Sequence, residues 1–227
     1  YRYAIYNTVD ATFWYFHAID RYYQWTEDKD VIETLYDTLH SIIEHHIRGT
    51  DFGIHMDPAD SLIEASAEGF QLTWMDAKVD EWVVTPRRGK PVEIQALWFN
   101  AIQLMASWSR LLNKPDDFYV ALAEKVREYL NARFWFKEGK YLYDVIDTGK
   151  GDDPSLRPNQ IFSISLRFPI LDKSLWKPVV DCVEKELLTP MGLRTLNVAG
   201  KYYHGRYTGS RWDRDAAYHQ GLVWAWL

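Results

Sequence analysis

The chain has 227 residues, 47% of them hydrophobic, and a formal net charge of −6, which describes an acidic globular protein long enough to bury a sizeable core. No run approaches the ~18 apolar residues of a membrane span, no basic segment followed by an apolar one opens the chain, and the acidic balance argues against a nucleic-acid backbone as partner. Cys182 is the single cysteine, so no internal disulfide or cysteine-based zinc site can form.

A lone cysteine fits a reducing compartment, and a cytoplasmic location is expected. The seven histidines show no metal-ligand spacing. His45 and His46 are sequence neighbours, which cannot face one ion from the same side of a helix, and HExxH is absent. Neither a metal nor a cofactor is expected.

In chain order, DATFWYFHAIDRYYQW (10–25) carries a wide apolar stripe and predicts a helix with Asp10 as a candidate N-cap. A second helix is expected over 28–48, ended by Gly49. GTDFGIHMDPADSLIEAS reads as a hairpin or loop, and QLTWMDAKVDEWVVTPRRGK, with no clear period, as loop. Pro91 and Pro115 each open a strong helix. WFKEGKYLYDVID offers two short β-like runs around Glu138 and Gly139, and a flexible stretch follows. RPNQIFSISLRF and LWKPVVDCVEKELL read as two more helices, with Pro178 in the first turn of the second. A loop over 189–214 precedes a last helix starting near Asp215, and the closing GLVWAWL reads as the start of a further one.

The aromatic share is 16%, with 11 tryptophans. A large core is one reading, because these side chains carry much buried area. Trp74, Trp82, Trp212, Tyr202 and Tyr203 instead sit beside polar residues in loops, as suits a sugar with apolar faces and hydroxyl edges. Composition leaves the two even.

The rhythm of helix pairs and long loops suggests an α/α toroid, in which inner helices line a core and loops at one end build a site. About seven helices are too few to close a ring of six pairs, so the chain reads as a fragment of a larger domain. YNTVDATFWYFHAI, QLTWMDAKVDEWVVTPRRGKPVEIQALWFNA, LRPNQIFSIS and SRWDRDAAYHQGLVW together resemble the amylo-α-1,6-glucosidase domain of microbial glycogen debranching enzymes. The resemblance implies an all-α (α/α)6 toroid of glucoamylase-like type, incomplete here and with short β-hairpins in its loops. It implies one domain over 1–227, lacking N- and C-terminal helices. The activity implied is hydrolysis of α-1,6-linked glucose stubs, and the partner is glycogen, limit dextrin or a malto-oligosaccharide.

Cleaving a glycosidic bond requires a protonated carboxyl to donate to the leaving oxygen and a second carboxylate on the opposite face of the sugar. The acid needs a raised pKa, which apolar surroundings supply. Asp76, between Trp74 and Met75 on one side and Ala77 on the other, fits that need and is the candidate acid, expected to face a cavity and not bulk solvent; a turn-forming loop Asp is the plainer alternative. Glu93 is the candidate base, although at a helix start it could simply complement the dipole. In eukaryotic debranching enzymes of this type a Glu precedes a Trp after an HxG-like stretch. HQGLVW has Val223 at that place, which suggests that the base lies beyond this chain and that the piece alone is inactive.

Asp10 is the candidate for holding sugar hydroxyls, with Trp14 as ring platform or as packing, and Trp74 as the ring beside the acid. Trp212, Arg214, Asp215, His219 and Gln220 complete the candidate substrate contacts. Arg214 and Asp215 could equally form a structural ion pair. A helix from Asp215 would put His219 on the same face. Arg87 and Arg88 read as loop charges, one of which could pair with Glu93. Because fold does not fix function, a noncatalytic glycan-binding module, a sugar phosphorylase and an epimerase using His17, His204 or His219 stay open as alternatives.

Overall fold

The computed structural model describes residues 7–224. Helix α1 spans Ala11–Thr26 and α2 Lys29–Arg48. Asp28 caps α2 by accepting from the N–H groups of Asp30 and Val31, and Gly49 ends it at φ +102 as expected. Strands β1 (Ile54–Met56) and β2 (Ile63–Ala65) form the expected hairpin, and β3 (Lys78–Val79) pairs with β4 (Trp82–Val83) in a second one.

Strand β5 (Lys90–Pro91) leads straight into α3 (Val92–Leu111). Val92 through Ala106 is buried almost without interruption, the pattern of a helix enclosed on all sides. Phe13 of α1 lies 5.5 Å from Trp98, and Phe16 stacks on Trp108 at 6.4 Å. The polar residues of α3 are spent on its neighbours. Gln95 exchanges hydrogen bonds with the backbone of Ile63, the Trp98 indole donates to the Ser61 carbonyl at 3.1 Å, and Ser109 meets the Tyr36 hydroxyl at 2.7 Å. Truncating Trp98 to alanine at this position would cost about 3–5 kcal/mol.

Helix α4 (Asp117–Arg133) packs on α3. Then come β6 (Trp135–Phe136) and β7 (Tyr141–Leu142), which pair, and β8 (Val145–Ile146), which pairs with β5. The 157–168 stretch forms a 3-10 turn at Pro158–Ile161 followed by a single turn, α5 (Phe162–Ser165), not the full helix expected. Its side chains Asn159 and Gln160 are turned inward to buried partners. Helix α6 covers Lys173–Leu187 and holds Pro178 in its second turn, not its first.

Three expectations for the last forty residues are corrected. Strands β9 (Leu188–Thr189) and β10 (Gly192–Arg194) interrupt the supposed long loop. Helix α7 runs Arg211–Ala217 and begins before Asp215, because Ser210 and Asp213 form a capping box. Val223 and Trp224 are strand β11 beside β10 and not the start of a helix. Gly221 turns the chain there at φ +124, and residues 225–227 lie outside the described ones.

The outcome is a helix-rich chain with short strand pairs at the connections. Among the described residues no helix is long and apolar enough to cross a membrane.

Candidate functional site

Residues 72–76 form a pinned loop between β2 and β3. The Leu72 carbonyl accepts from Val9 N–H at 2.8 Å, which ties the loop to the start of α1. Leu72, Thr73 and Met75 are buried, whereas Trp74 is half-buried and Asp76 exposed. Asp76 has 61% of its side chain open, so it faces solvent and not the enclosed cavity expected of it.

His219 stands against this loop. Its Nε2 is 3.7 Å from Asp76 Oδ1, an electrostatic contact longer than a hydrogen bond. The His219 ring is buried, with 1% exposure, and among the described residues neither nitrogen has a hydrogen-bond partner. It sits in an aromatic cage: Trp224 stacks at 5.1 Å, and Tyr218 and Trp74 meet it edge-on at 4.5 and 4.9 Å. Burial holds its pKa below the ordinary histidine value, against the pull of Asp76, so the ring is neutral at pH 7. The residue lies past the end of α7 in left-handed backbone, φ +62, and not on the helix expected to carry it. Such a conformation at a non-glycine residue persists only where the surroundings impose it.

Asp10 occupies the N-cap position of α1 without capping it. Its side chain is buried, and burial raises its pKa, partly offset by the N–H groups of Asp10 itself and Ala11. Asp76 adds to the same rise, which places the two carboxylates in one field. The structure thus brings together Asp10, Trp74, Asp76 and His219.

Glu93 lies elsewhere. It is 1% exposed at the second position of α3. Both its oxygens accept from Arg87: Nη2 at 2.7 Å, and Nη1 in a short contact. Arg87 turns its other edge to Asp144, Nε at 2.7 Å and Nη2 at 3.0 Å, and also reaches Thr73 Oγ1. Burial acts to lower the Arg87 pKa, but Asp144 and Glu93 outweigh it and raise it, so its charge is permanent. Burial likewise pushes Glu93 upward against the pull of Arg87. A carboxylate so enclosed and paired is shut off from bulk water. Arg87 is therefore a buried ion-pair partner rather than a loop charge, while Arg88 meets only the exposed Glu68 at 3.6 Å. Gly89 allows this approach: at φ +116, a Cβ there would lie 2.5 Å from the Ile146 carbonyl.

The remaining candidates are spread out. Trp14 packs edge-on against Phe162 at 5.3 Å and His17 at 5.6 Å. Trp212 is half-exposed and lies 5.4 Å from Trp82, on the outer side of the site. Arg214 does not pair with Asp215. It lies over the Tyr207 ring at 5.8 Å, while Asp215 meets Arg211 Nε at 3.5 Å. Gln220 is buried, and its amide is occupied by Val84 O, Thr85 Oγ1 and Arg157, so it shapes the site from behind.

Asp144, Arg157 and Asn159 escaped the sequence reading. Asn159 Oδ1 accepts the Trp74 indole N–H at 2.9 Å, and its Nδ2 donates to Asp144 Oδ1 at 2.8 Å. Arg157 donates to the His219 carbonyl at 2.7 Å and stands 3.6 Å from Asp144. The RPNQ run was the available signal, since two adjacent long polar side chains after a proline suit anchoring better than a helix face.

A family described as amylo-alpha-1,6-glucosidase matches residues 1–227. Glycogen debranching enzyme of Saccharomyces cerevisiae is 22% identical over 222 residues, covering 79% of this chain and 14% of that protein. Among solved structures, a GH78 family rhamnosidase of Bacillus sp. GL1 superposes with a TM-score of 0.53 at 17% identity, over 69% of this chain and 15% of the other. That likeness speaks for a shared fold alone, and this chain spans only a small part of either relative. On the match along its whole length, the chain belongs to the amylo-α-1,6-glucosidase family.

Proposed function

We propose that this chain forms one wall of the active site of a glycoside hydrolase that releases α-1,6-linked glucose from glycogen or a limit dextrin. The observation that carries the reading is the meeting of Trp74 and Asp76 with His219 from two distant parts of the chain, with Asp10 within the electrostatic reach of Asp76. Asp76 is the general acid. With a sugar over it, and with the rest of an (α/α)6 toroid around it, the open carboxyl exchanges its water for the leaving oxygen of the glycosidic bond. Trp74 offers a flat face to the sugar ring. Asp10 accepts from hydroxyls of the terminal glucose. Neutral His219, enclosed behind the loop, backs the acid at 3.7 Å.

Glu93 is a structural anchor in this scheme, and the general base comes from a part of the parent protein beyond residues 1–227. The mechanism is inversion, with acid and base roughly 6.5–9.5 Å apart. The test is glucose release from an α-1,6-branched limit dextrin by this chain alone and by the chain extended C-terminally to complete the toroid. Activity in the longer protein only is expected. Activity in the shorter one would return the base to a carboxylate of residues 1–227, and release from neither would favour a glycan-binding module.

A further inference from the structure

Two walls of the site hang from one buried carboxylate. Asp144 is 2% exposed, and its side chain receives Asn159 Nδ2 at 2.8 Å, Arg87 Nη2 at 3.0 Å and Arg87 Nε at 2.7 Å. Asn159, fully buried, passes the connection on to the Trp74 indole N–H at 2.9 Å. Arg157, with its Nε 3.6 Å from Asp144 Oδ2, extends Nη1 to the carbonyl of His219 at 2.7 Å and to that of Thr195 at 3.0 Å. Arg87 also reaches Thr73 of the acid loop at 3.3 Å. The four charges, Arg87, Arg157, Glu93 and Asp144, sum to zero, as a buried cluster must if it is to persist.

We propose that Asp144 and Asn159 are positioning residues: through Asn159 they fix the plane of the Trp74 ring beside Asp76. The inference rests on the reading of Trp74, Asp76 and His219 as a sugar site and deepens it. The Trp74 ring already packs against His219 and Trp224. The hydrogen bond from its N–H to a rigid, fully satisfied amide adds a fixed direction to that packing before the sugar arrives. Misplacement by about 1 Å in such a site costs roughly a hundredfold in rate, so the interior network bears on turnover as well as on folding. Asn159 has both ends of its amide committed, Oδ1 to Trp74 and Nδ2 to Asp144, and cannot turn over without losing both bonds.

The experiment is a double-mutant cycle in the full-length parent protein, with Asn159→Ala, Trp74→Phe and the pair. Glucose release from limit dextrin gives kcat/KM, and the dissociation constant for maltotetraose is read by calorimetry on the same proteins. Trp74→Phe keeps an aromatic face while losing the N–H and part of the ring at a half-buried position, so it is the milder of the two changes for folding where Asn159→Ala is poorly stable. Each single change is expected to lower kcat/KM on the order of tenfold, and the pair about as much as one alone, because both break the same bond.

Multiplying effects would make Asn159 a structural residue with no hold on Trp74 and would overturn the proposal, as would Trp74→Phe with unchanged kcat/KM and unchanged affinity. Asp76→Asn, run in parallel, separates the two claims. If it keeps glucose release, the acid assignment falls, while the cycle still decides whether Asn159 acts through Trp74. If it loses release and the cycle shows independent effects, only the positioning role falls.

Discussion

Glu93 and Asp76 lie within one short stretch of sequence and end in opposite surroundings. Around Glu93 every polar atom is spoken for: the guanidinium of Arg87 spans Glu93 on one edge and Asp144 on the other, with all three side chains at 1–2% exposure. Around Asp76 little is settled, since its side chain is open and the neutral His219, 3.7 Å away, has no hydrogen-bond partner on either nitrogen among the described residues. A satisfied carboxylate holds a fold together, and an unsatisfied one is available to a substrate. That contrast, more than the identity of either residue, separates scaffold from chemistry in this chain.

The contrast breaks most easily at Arg87. Arg87→Met removes the cation between two buried carboxylates and is expected to cost about 3–5 kcal/mol of unfolding free energy in urea titrations. A cost below about 1 kcal/mol, the range of surface pairs, would mean that the interior network is not the scaffold described. The histidines give a second, smaller effect with a definite sign. Burial lowers the pKa of both His46 and His219. A histidine whose folded value lies below its unfolded value of about 6.5 takes up a proton on unfolding, so stability is full above that pH and is lost as pH falls below it. The slope is up to about 1.4 kcal/mol per pH unit for each group, and His219→Gln should remove one share of it. No change in slope would contradict a buried neutral His219.

Asp10 sharpens the comparison from the other side. Its pKa is raised by burial, so its folded value lies above the unfolded value near 3.9. Such a group penalises the folded state once it ionises, and the penalty disappears as pH falls through the raised value. Asp10→Asn is therefore expected to leave the protein as stable at pH 7 or more so, by about 1 kcal/mol or less, while weakening affinity for malto-oligosaccharide in calorimetric titration. A loss of stability instead would make Asp10 part of the scaffold.

How much of this was legible in the sequence follows from the range of each interaction. The ends of α2, the start of α3 behind Pro91 and the β1–β2 hairpin are set by residues a few positions apart, and these were read with nearly correct bounds. The capping box at Ser210 and Asp213 is just as local, and was missed because the acidic residues after Trp212 drew the helix start to Asp215. The partners of Asp144 are another matter: Arg87 is 57 positions away, and no local pattern reports a contact at that distance. The aromatic neighbours of Asp76 single it out in the sequence, and the loop holds it 3.7 Å from His219. Its exposure was not legible, because exposure depends on which other segments arrive, and those join only through long-range packing.

The most direct test of the account is glucose release from limit dextrin by the full-length parent protein carrying Asp76→Asn, measured beside its unfolding midpoint in urea. The account predicts release lowered by a factor of about 10²–10⁴, the usual contribution of a general acid, with a midpoint shift corresponding to no more than about 0.5 kcal/mol, as for a surface substitution. Normal release from a folded Asp76→Asn protein would contradict it and move the acid to another carboxylate.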